Sequence, residues 1–314
     1  MTIASIYSLP KLTMKDGISR SPMFYVGDKY KLMREIRTHF PAHINRLIEP
    51  FVGGGSVMMN VDAEEFLLND IDSYVIGLHK MLCSYVGKEQ DFFTELFKII
   101  DQYGLSLSYR ENSVPEGLKK AHPKTYFAKY NKEAFKQLKQ DFITGGQQSW
   151  MQLYVLLIYG FNRMLRFNSK GLFNLPVGNV DFNKNTYDAL DDYFRLLATK
   201  RVTWHNEDFR TFLNGIDYQA DDLVYLDPPY LITFSEYNKL WNDETERDLL
   251  AMLDDMNARG IRFAISNVTH YRGRTNTLFL EWSEQYHSHS IKSNYISFND
   301  NSIKQFSEVL VTNY

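Results

Sequence analysis

The sequence predicts an α/β fold in which a mostly helical insert interrupts one central sheet. Short apolar runs typical of buried strands occur in two blocks, at residues 45–70 and 223–312, and they are separated by glycine turns or by stretches with helical spacing. The residues between the blocks contain long runs with helical periodicity and one hairpin signal. We therefore expect residues 21–86 and 201–314 to form the sheet domain, and residues 87–200 to form the insert.

Composition and length limit the protein class. The chain has 314 residues, of which 44% are hydrophobic and 23% charged, so it can bury a core and is not a disordered tail. The single cysteine, Cys83, excludes an internal disulfide and suits a reducing compartment. No apolar run is long enough to span a membrane, and the first 20 residues lack the apolar centre of a signal peptide. We expect a flexible leader at residues 1–20 and a cytoplasmic protein.

Charge is distributed unevenly along the chain. The formal net charge is -3, but residues 104–180 contain eleven Lys or Arg against four Asp or Glu, a net charge of +7. The rest of the chain therefore has a net charge of about -10. A basic insert in an acidic protein is a candidate nucleic-acid surface, although a lysine-rich solvated helix face would give the same count.

The first block has the pattern strand, glycine turn, helix, strand, acid. Residues 45–51 predict a strand that stops at Gly53-Gly54-Gly55, residues 56–60 can start a helix, and residues 66–70 predict a strand that ends in Asp70. Position 58 is Met, so the spacing of a pyrophosphate-binding loop is missing and a ligand without phosphate fits better. Asp70 could hold the hydroxyls of a ribose; alternatively this is a tight turn followed by a surface Asp.

The other elements follow from periodicity. A helix is expected at residues 124–142, with Tyr126, Phe127, Tyr130, Phe135 and Leu138 on one face, and a second one at residues 150–160. Residues 165–177 predict a hairpin of two short strands around the turn Asn168-Ser169-Lys170-Gly171. Strands at 223–226, 261–266 and 307–312, and an amphipathic helix at 245–257 closed by Arg259-Gly260, complete the last block.

Asp227-Pro228-Pro229-Tyr230 is the most specific motif. Two prolines after a strand stiffen the segment and leave its carbonyls free, and Asp227 lies at the strand's carboxyl end, where open α/β sheets bind ligands. Asp227 and the carbonyl of Pro228 could accept the two hydrogens of an aromatic amine and so prepare its lone pair to attack a methyl group. Tyr230 could stack on the base that bears the amine. The alternative is a plain Asp-Pro turn with a packed tyrosine.

These motifs resemble a known family. EPFVGGG, an insert and DPPY occur in the order found in the Dam-type (alpha-group, D12 class) DNA adenine-N6 methyltransferases, and the resemblance covers nearly the whole chain after residue 20. The stretches YLDPPYLITFSEYNKLW, DMNARGIRFAISN and RMLRFNSKGLFNLPVG are most similar to the phage Dam enzymes and less so to the EcoRV-type methylase. The resemblance implies a Rossmann-like sheet that binds S-adenosyl-L-methionine, and a target-recognition domain, with a hairpin, at residues 87–200.

The resemblance also implies roles for individual residues. The catalytic residues would be Asp227, Pro228, Pro229 and Tyr230. The cofactor would contact Tyr25, Lys29, Phe51, Gly53, Gly55, Asp70, Phe209 and Asp227. Double-stranded DNA would contact Asn162, Arg163, Arg166, Asn168 and Lys170, with base flipping and direct in-line transfer. Such an enzyme would be a monomer or weak dimer, with or without a cognate restriction endonuclease.

The sequence also departs from the family pattern. Dam enzymes usually have basic residues after the Pro-x-Gly of the hairpin, where this chain has Asn179-Val180-Asp181. Residues 104–127 form a longer segment than in the phage enzymes. The Dam resemblance makes GATC the default prediction for the target site. Both departures lie in the predicted recognition domain, so they concern the target site and not the reaction.

Other functions are disfavoured by the residue types. Cytosine-5 methylation needs a cysteine nucleophile, whereas Cys83 lies in a predicted helix and is better explained as core. Cytosine-N4 enzymes generally have Ser at the position of Asp227. His287 and His289 alone make no metal site, so no metal is expected. An RNA adenine methyltransferase stays an alternative, and so does a non-catalytic cofactor-sensing module, whose signature would be a broken DPPY or the loss of Lys29 or Asp70.

Overall fold

The described residues form one central sheet of eight strands. The structure is a computed structural model, which describes residues 17–25, 27–110, 114–233, 241–291 and 306–314. The strands, numbered in chain order, are β1 Arg46–Glu49, β2 Glu65–Asn69, β3 Arg201–His205, β4 Leu223–Leu226, β5 Arg262–Tyr271, β6 Arg274–Thr275, β7 His287–Ile291 and β8 Phe306–Thr312.

The strand order creates a switch point next to β1. The order is β3-β2-β1-β4-β5-β8-β7, with the short β6 paired to β5. The five strands from β3 to β5 are parallel, whereas β8 runs antiparallel to β5 and β7 antiparallel to β8. Because the chain leaves β1 toward β2 and later returns on the other side as β4, a crevice forms at the carboxyl ends of β1 and β4. Open α/β sheets bind their ligands at this position.

Ten α-helices surround the sheet or form the insert within the described residues. Several begin where the sequence supplies a side-chain cap: Asp72 accepts hydrogen bonds from the amides of Tyr74 and Val75, and Asn242 accepts one from Thr245. The helices are α1 Met33–Ile36, α2 Ser73–Ser84, α3 Glu89–Tyr103, α4 Glu116–Ala121, α5 Tyr126–Thr144, α6 Trp150–Tyr159, α7 Lys184–Leu197, α8 Phe209–Asn214, α9 Asp243–Ala258 and α10 Thr277–Ser283. None of the described helices is long and apolar enough to span a membrane.

The predicted helix after the glycine turn is wrong. Residues 56–60 contain only the 3-10 turn Met58–Asn60, after which the backbone is extended. The Asn60 side chain donates hydrogen bonds to the carbonyls of Ser19 and Ser56, which fixes the end of this turn. Only a few residues separate this turn from β2, so no room is left for a crossover helix of ordinary length.

The predicted helix at residues 124–142 is confirmed as α5, but its buried face differs from the prediction. Phe135 and Leu138 are buried, as expected, whereas Tyr130 is exposed and Asn131 is completely buried. Asn131 belongs inside because its amide bonds to the backbone and side chain of Ser106. The apolar run at residues 150–160 forms α6 as predicted.

The predicted hairpin at residues 165–177 is confirmed as a turn with minimal strands. Phe167 and Phe173 form an isolated antiparallel bridge, and Val177 forms another with Gly160. The side-chain oxygen of Asn168 accepts hydrogen bonds from the amides of Lys170 and Leu172 and thereby shapes the turn.

The hydrophobic core runs from the sheet into the insert. Residues of β1 and β2 belong to the same buried cluster as residues of α3, α5, α6 and α7. The division into a methyl-transfer part and a recognition part at residues 87–200 therefore stays a functional prediction. The flexible leader is wrong for residues 18 and 19: Ile18 and Ser19 are buried, and the Ser19 amide donates to the Asn60 side chain. Residues 1–16 lie outside the described residues.

Candidate active site

The predicted site residues follow three neighbouring parallel strands. The glycine turn follows β1, Asp70 follows β2 and Asp227 follows β4. Because β1 pairs in parallel with both β2 and β4, the three segments meet at one edge of the sheet. The structure therefore brings together motifs that lie more than 170 residues apart in the sequence.

The glycine turn packs against Tyr25. Gly53 and Gly55 have positive φ values of 48° and 78°, which glycine adopts without steric cost. At Gly54 a Cβ atom would lie 2.7 Å from the Cβ of Tyr25, so only glycine fits. The Ser21 hydroxyl donates a hydrogen bond to the Gly54 carbonyl. Tyr25 and the glycine turn, each predicted to contact the cofactor, thus lie next to each other.

Asp70 is tied to the same turn. One carboxylate oxygen accepts from the Gly53 amide at 2.9 Å, and the other accepts from the Asp72 amide at 2.9 Å. Burial raises the pKa of Asp70 to about 6, although these amide hydrogen bonds act in the opposite direction. Each oxygen keeps a lone pair for a further donor, so the carboxylate can accept from a pair of hydroxyl groups.

A histidine that the sequence motifs did not reveal packs against the glycine turn. His79 on α2 is fully buried; its Nε2 lies 2.9 Å from the Gly53 carbonyl oxygen, and its Nδ1 lies 2.6 Å from the Tyr193 hydroxyl. Burial lowers the pKa of His79 to about 4, so the ring is neutral at pH 7. Nε2 then donates to the carbonyl and Nδ1 accepts from the tyrosine. Helix α7 of the insert is linked in this way to the glycine turn.

Asp227 lies at the centre of a buried ionic cluster. The Lys29 ammonium is 2.7 Å from one Asp227 oxygen, and the Tyr230 hydroxyl donates to the other at 2.8 Å. Glu308 on β8 joins them, at 3.5 Å from the Lys29 nitrogen and 3.1 Å from the Tyr230 hydroxyl. Lys29 and Asp227, each predicted as a cofactor residue, are therefore in direct contact, and Glu308 is a member that the motifs did not reveal.

The cluster holds Lys29 in its charged form. Burial alone would lower the pKa of Lys29, but the negative charge of Asp227 and, to a smaller extent, of Glu308 raises it well above its ordinary value. Burial and the same Asp227 charge raise the pKa of Tyr230, which stays a neutral phenol. Burial also raises the pKa of Glu308, against the effect of Lys29.

A second acid, Glu49, stands at the end of β1. Its side chain is 2% exposed, and its Oε1 atom has no hydrogen-bond partner among the described residues. Burial and the nearby charge of Asp227 raise the pKa of Glu49 well above its ordinary value. Three acids, Glu49, Asp227 and Glu308, thus surround the single ammonium of Lys29. A cationic ligand at this edge of the sheet would favour the charged forms of Glu49 and Glu308 and be stabilised by them. The only sequence signal was the Glu of EPFVGGG.

Three aromatic side chains form a wall beside the crevice. The ring centroids of Phe51 and Phe209 are 5.4 Å apart, and Trp241 lies 5.6 Å from Phe51 and 5.7 Å from Phe209. Asn69 fixes the backbone below them, because its side chain bonds to the carbonyl of Pro50 and to the backbone of Glu207. The structure thus joins the two predicted cofactor residues Phe51 and Phe209, and Trp241 is an addition.

The hairpin of the insert lies beside this edge. Phe167 stacks on Tyr74 at the start of α2, with ring centroids 4.0 Å apart, and α2 itself begins three residues after Asp70. Asn162 and Lys170 are exposed and available to a partner. The Nε of Arg166 donates to the carbonyl of Asn174 at 2.7 Å, which leaves the outer part of its guanidinium available.

Two predicted DNA residues have structural contacts of their own. The side-chain oxygen of Asn168 is engaged in the hairpin turn, as described above. Arg163 lies over the ring of Phe24, with its Cζ 3.8 Å from the ring centroid. The predicted DNA residues thus lie on the same segment of the insert but differ in how free their side chains are.

The departure from the Dam pattern has a structural explanation. The Asn179 side chain accepts from the amides of Phe127 and Ala128 and donates to the Lys124 carbonyl, so it holds the start of α5. Asp181 is completely buried and accepts three hydrogen bonds from Ser106 and Ser108. These two residues thus bind the two ends of the segment 104–127, which the sequence marks as unusually long.

The residues fit S-adenosylmethionine as a ligand. This molecule combines a ribose with a sulfonium and an ammonium group, and the edge offers a carboxylate for hydroxyls at Asp70 together with an excess of acids around Asp227. The buried Glu49 oxygen, which has no hydrogen-bond partner among the described residues, can take a cationic ligand as its partner. Among the described residues, no group of His, Cys, Asp and Glu is arranged to hold a metal ion.

The parallel sheet with its antiparallel strand β8, the glycine turn after β1 and the acid after β2 define the fold class of the S-adenosylmethionine-dependent methyltransferases. A family model described as D12 class N6 adenine-specific DNA methyltransferase matches residues 25–296. The chain belongs to this family.

Curated relatives agree with the family assignment. The Type II methyltransferase M.FokI of Planomicrobium okeanokoites is 33% identical over 305 residues, which cover 94% of this chain and 43% of that protein. The modification methylase StsI of Streptococcus sanguinis is 31% identical over 309 residues, with the same coverage of both chains. The DNA adenine methylase of Escherichia coli strain K12 is 26% identical over 304 residues, which cover 93% of this chain and 94% of that protein. This chain thus spans less than half the length of the first two relatives. The similarity to phage enzymes stays a prediction.

Proposed function

We propose that this chain transfers a methyl group from S-adenosyl-L-methionine to N6 of adenine in double-stranded DNA. The observation that supports the proposal is the position of Asp227: it ends β4, bonds to Lys29 and Tyr230, and shares a sheet edge with the glycine turn and Asp70. An acid at this edge can activate an amine directly beside the proposed methyl donor. A non-catalytic module would not need this buried cluster.

The chain's own groups prepare the amine. One Asp227 oxygen and the Pro228 carbonyl accept the two N6 hydrogens, so the nitrogen lone pair turns out of the plane of the ring. The two prolines have no N–H and fixed φ angles, so these acceptors stay in place without reorganisation. S-adenosylmethionine, when bound, supplies an electrophilic methyl group. Lys29, 2.7 Å from Asp227, fixes the orientation of the carboxylate.

Tyr230 has to exchange partners when the substrate binds. Its hydroxyl now donates to Asp227 and Glu308, so it occupies an acceptor position that the target amine needs. We propose that the amine replaces the hydroxyl at Asp227 while the tyrosine ring turns to stack on the flipped adenine. Glu308 can keep its hydrogen bond to the hydroxyl during this change. Pro229 holds the tyrosine close to Asp227.

The cofactor residues take roles by position. Asp70 accepts from the ribose hydroxyls, and Tyr25, Gly53 and Gly55 form the floor of the site. Phe51 and Phe209 provide an apolar wall for the adenine of the cofactor. The excess of acids near Asp227 offsets the positive charge of the sulfonium.

The DNA side of the proposal involves the basic insert. Exposed Asn162 and Lys170, with Arg166 and Arg163, lie on the hairpin or next to it, and residues 104–180 have the net charge of +7. We propose that this surface binds the duplex, and that Arg166 is the residue best placed to contact a guanine, because its outer nitrogens are available. GATC stays the default proposal for the site, although Asn179 and Asp181, as structural residues, do not contribute to reading it.

Partners and location follow from the substrate. Two relatives are named as a Type II methyltransferase and a modification methylase, so a cognate restriction endonuclease is a natural partner. The basic surface lies within one chain, so DNA binding does not need a second copy. We expect the enzyme to act in the cytoplasm, where the DNA is.

Transfer of a labelled methyl group distinguishes the two candidate substrates. The protein is incubated with labelled S-adenosylmethionine and with duplex DNA or RNA of matching sequence, and the nucleosides are then separated. We expect label in N6-methyladenine of the DNA. Label in RNA alone, or in cytosine, would contradict the proposal.

A further inference from the structure

Two arginines flank one buried aromatic ring next to the proposed active site. The Cζ of Arg20 lies 4.5 Å from the ring centroid of Phe24, and the Cζ of Arg163 lies 3.8 Å from it. The distance between the two Cζ atoms is therefore at most the sum of these two distances. We call Arg20, Phe24 and Arg163 the arginine cluster. It joins the amino-terminal part of the chain to the insert, because Arg20 lies shortly before Lys29 and Arg163 lies shortly before the hairpin.

No carboxylate lies against either guanidinium within the part of the chain that the structure describes. Neither Arg20 nor Arg163 forms an ion pair there within 4.0 Å. Arg259 makes a useful comparison: it also lies over a ring, that of Tyr218, but its charge is paired with Asp255 at 3.1 Å. The arginine cluster thus has the cation-π geometry of an ordinary structural arginine but lacks the paired acid.

Two acids, Asp28 and Asp181, act on the cluster from beyond ion-pair distance. Burial raises the pKa of both, against the effect of the Arg20 charge on Asp28 and of the Arg163 charge on Asp181. Burial, and then the charge of Arg20, lower the pKa of Arg163 to about 10. The charge of Arg20 therefore disfavours the charge of Arg163, and two like charges are held side by side. An anion placed between them would relieve this repulsion.

The backbone around the cluster is held in an unusual conformation. Phe24, Asn162 and Arg163 have φ values of 49°, 53° and 51°, in the left-handed region that residues other than glycine rarely adopt. Such conformations persist only where the surrounding structure imposes them, and they concentrate at binding sites. The left-handed turn at Asn162 and Arg163 directs Arg163 onto Phe24, at the entry to the hairpin.

We infer that Arg20 and Arg163 together bind backbone phosphodiester groups of the DNA strand beside the target adenine. The inference rests on the proposed function, because it takes duplex DNA as the substrate. A guanidinium offers a planar set of donors that matches phosphate oxygens, and stacking on Phe24 fixes the plane of each one. The strand would then be held between the Lys29 segment and the insert, which positions it over Asp227. Arg20, which is exposed, is new to the proposed DNA surface.

The salt dependence of binding tests the inference. The duplex carries the site that the wild-type protein modifies, and its affinity is measured from low to moderate salt for Arg20→Gln, Arg163→Gln and the double variant. Each lost phosphate contact lowers the slope of log affinity against log salt by about 0.9, so we expect the double variant to lose about 0.9 to 1.8. Arg259→Gln, the matched control, has the same charge change and should keep the wild-type slope.

A second measurement needs only wild-type protein and the Arg20→Gln variant, in which the substituted residue is exposed. Single phosphates of the duplex are replaced in turn by neutral methylphosphonates. We expect one or two positions near the target adenine to weaken wild-type binding, and to weaken Arg20→Gln clearly less. An unchanged salt slope, equal effects on both proteins at every position, or a changed target sequence at constant slope would overturn the inference. Lack of methyl transfer by the wild-type protein would instead overturn the proposed function.

Discussion

Asp227 is surrounded by partners that the sequence reveals only in part. Lys29 was predicted from the family resemblance, and Tyr230 from its place in DPPY. Glu308 and Glu49 were not, because a single acid in an apolar strand carries no signal of its partners, and the contact between Glu308 and Lys29 joins residues nearly 280 positions apart. His79 escaped for the same reason: its role depends on a carbonyl and on Tyr193, neither of which a local pattern shows.

Asp70 predicts a pH dependence of cofactor binding. Its pKa in the folded protein is about 6, against an ordinary 3.8. The ionised form accepts from ribose hydroxyls, so affinity for S-adenosylhomocysteine should fall up to tenfold per pH unit below about pH 6. The effect of Asp70 on the free energy of unfolding has the opposite pH dependence. Because the folded state binds the proton of Asp70 more tightly than the unfolded state, the stabilisation is fully present below pH 3.8 and is lost as the pH rises through about 6.

Calorimetric titration at several pH values checks this prediction. Asp70→Asn should bind more weakly and show a flatter profile, whereas Asp62→Asn, a change at an exposed carboxylate, should behave like the wild type. A wild-type affinity that is constant between pH 5 and 7 would mean that Asp70 does not hold the ligand.

Glu308 is expected to act as a positioning residue. Glu308→Gln keeps the size of the side chain but removes the charge that faces Lys29 and one of the two carboxylates near the Tyr230 hydroxyl. We expect kcat to fall about tenfold, equivalent to about 1.4 kcal/mol, with little change in the KM for DNA. The pH profile of kcat should also change, which a loss of packing alone would not cause.

Steady-state kinetics against pH separates the two explanations. Glu281→Gln, on the exposed side of α10, is the control and should leave both kcat and its profile intact. If Glu308→Gln lowers only the melting temperature, Glu308 is structural and the positioning role is wrong.

At the scale of elements, the sequence predicted the central strands well and the edge strands poorly. β1, β2, β4 and β5 are apolar runs because both faces of a central parallel strand are covered. β3 and β7 escaped prediction because they lie at the two edges of the sheet, where most residues are at least partly exposed and the apolar signal is lost. The minimal strands of the hairpin were predicted through their turn residues instead.

Asp181 should stabilise the insert without reading DNA. Asp181→Ala leaves the Ser108 amide and two hydroxyls without their buried acceptor, which costs about 1–3 kcal/mol for each group left unpaired. We expect a clear loss in melting temperature and an unchanged target sequence. Asp188→Ala, which removes an exposed helical ion pair, should cost less than about 1 kcal/mol.

Thermal unfolding combined with sequencing of modified DNA checks this assignment. A variant that keeps the wild-type melting temperature but modifies a different sequence would show that Asp181 takes part in recognition. The explanation of the departure from the Dam pattern would then be wrong.

At the scale of the whole molecule, the separation of charge should control DNA binding. The insert is basic while the protein is acidic, so we propose that the DNA phosphates contact the insert. Raising the salt concentration should weaken duplex binding steeply, whereas the affinity for S-adenosylhomocysteine should change much less. A flat salt response of DNA binding would show that residues 104–180 are not the contact surface.

The central claim is that Asp227 directs methyl transfer to N6 of adenine in DNA. Its most direct test is single-molecule sequencing of DNA from cells that express the wild-type protein or the Asp227→Ala variant, with folding of both verified by thermal unfolding. We expect N6-methyladenine at one recurrent sequence with the wild type, and its loss with the variant. Modification of another base, or N6-methyladenine that persists in the variant, would contradict the account.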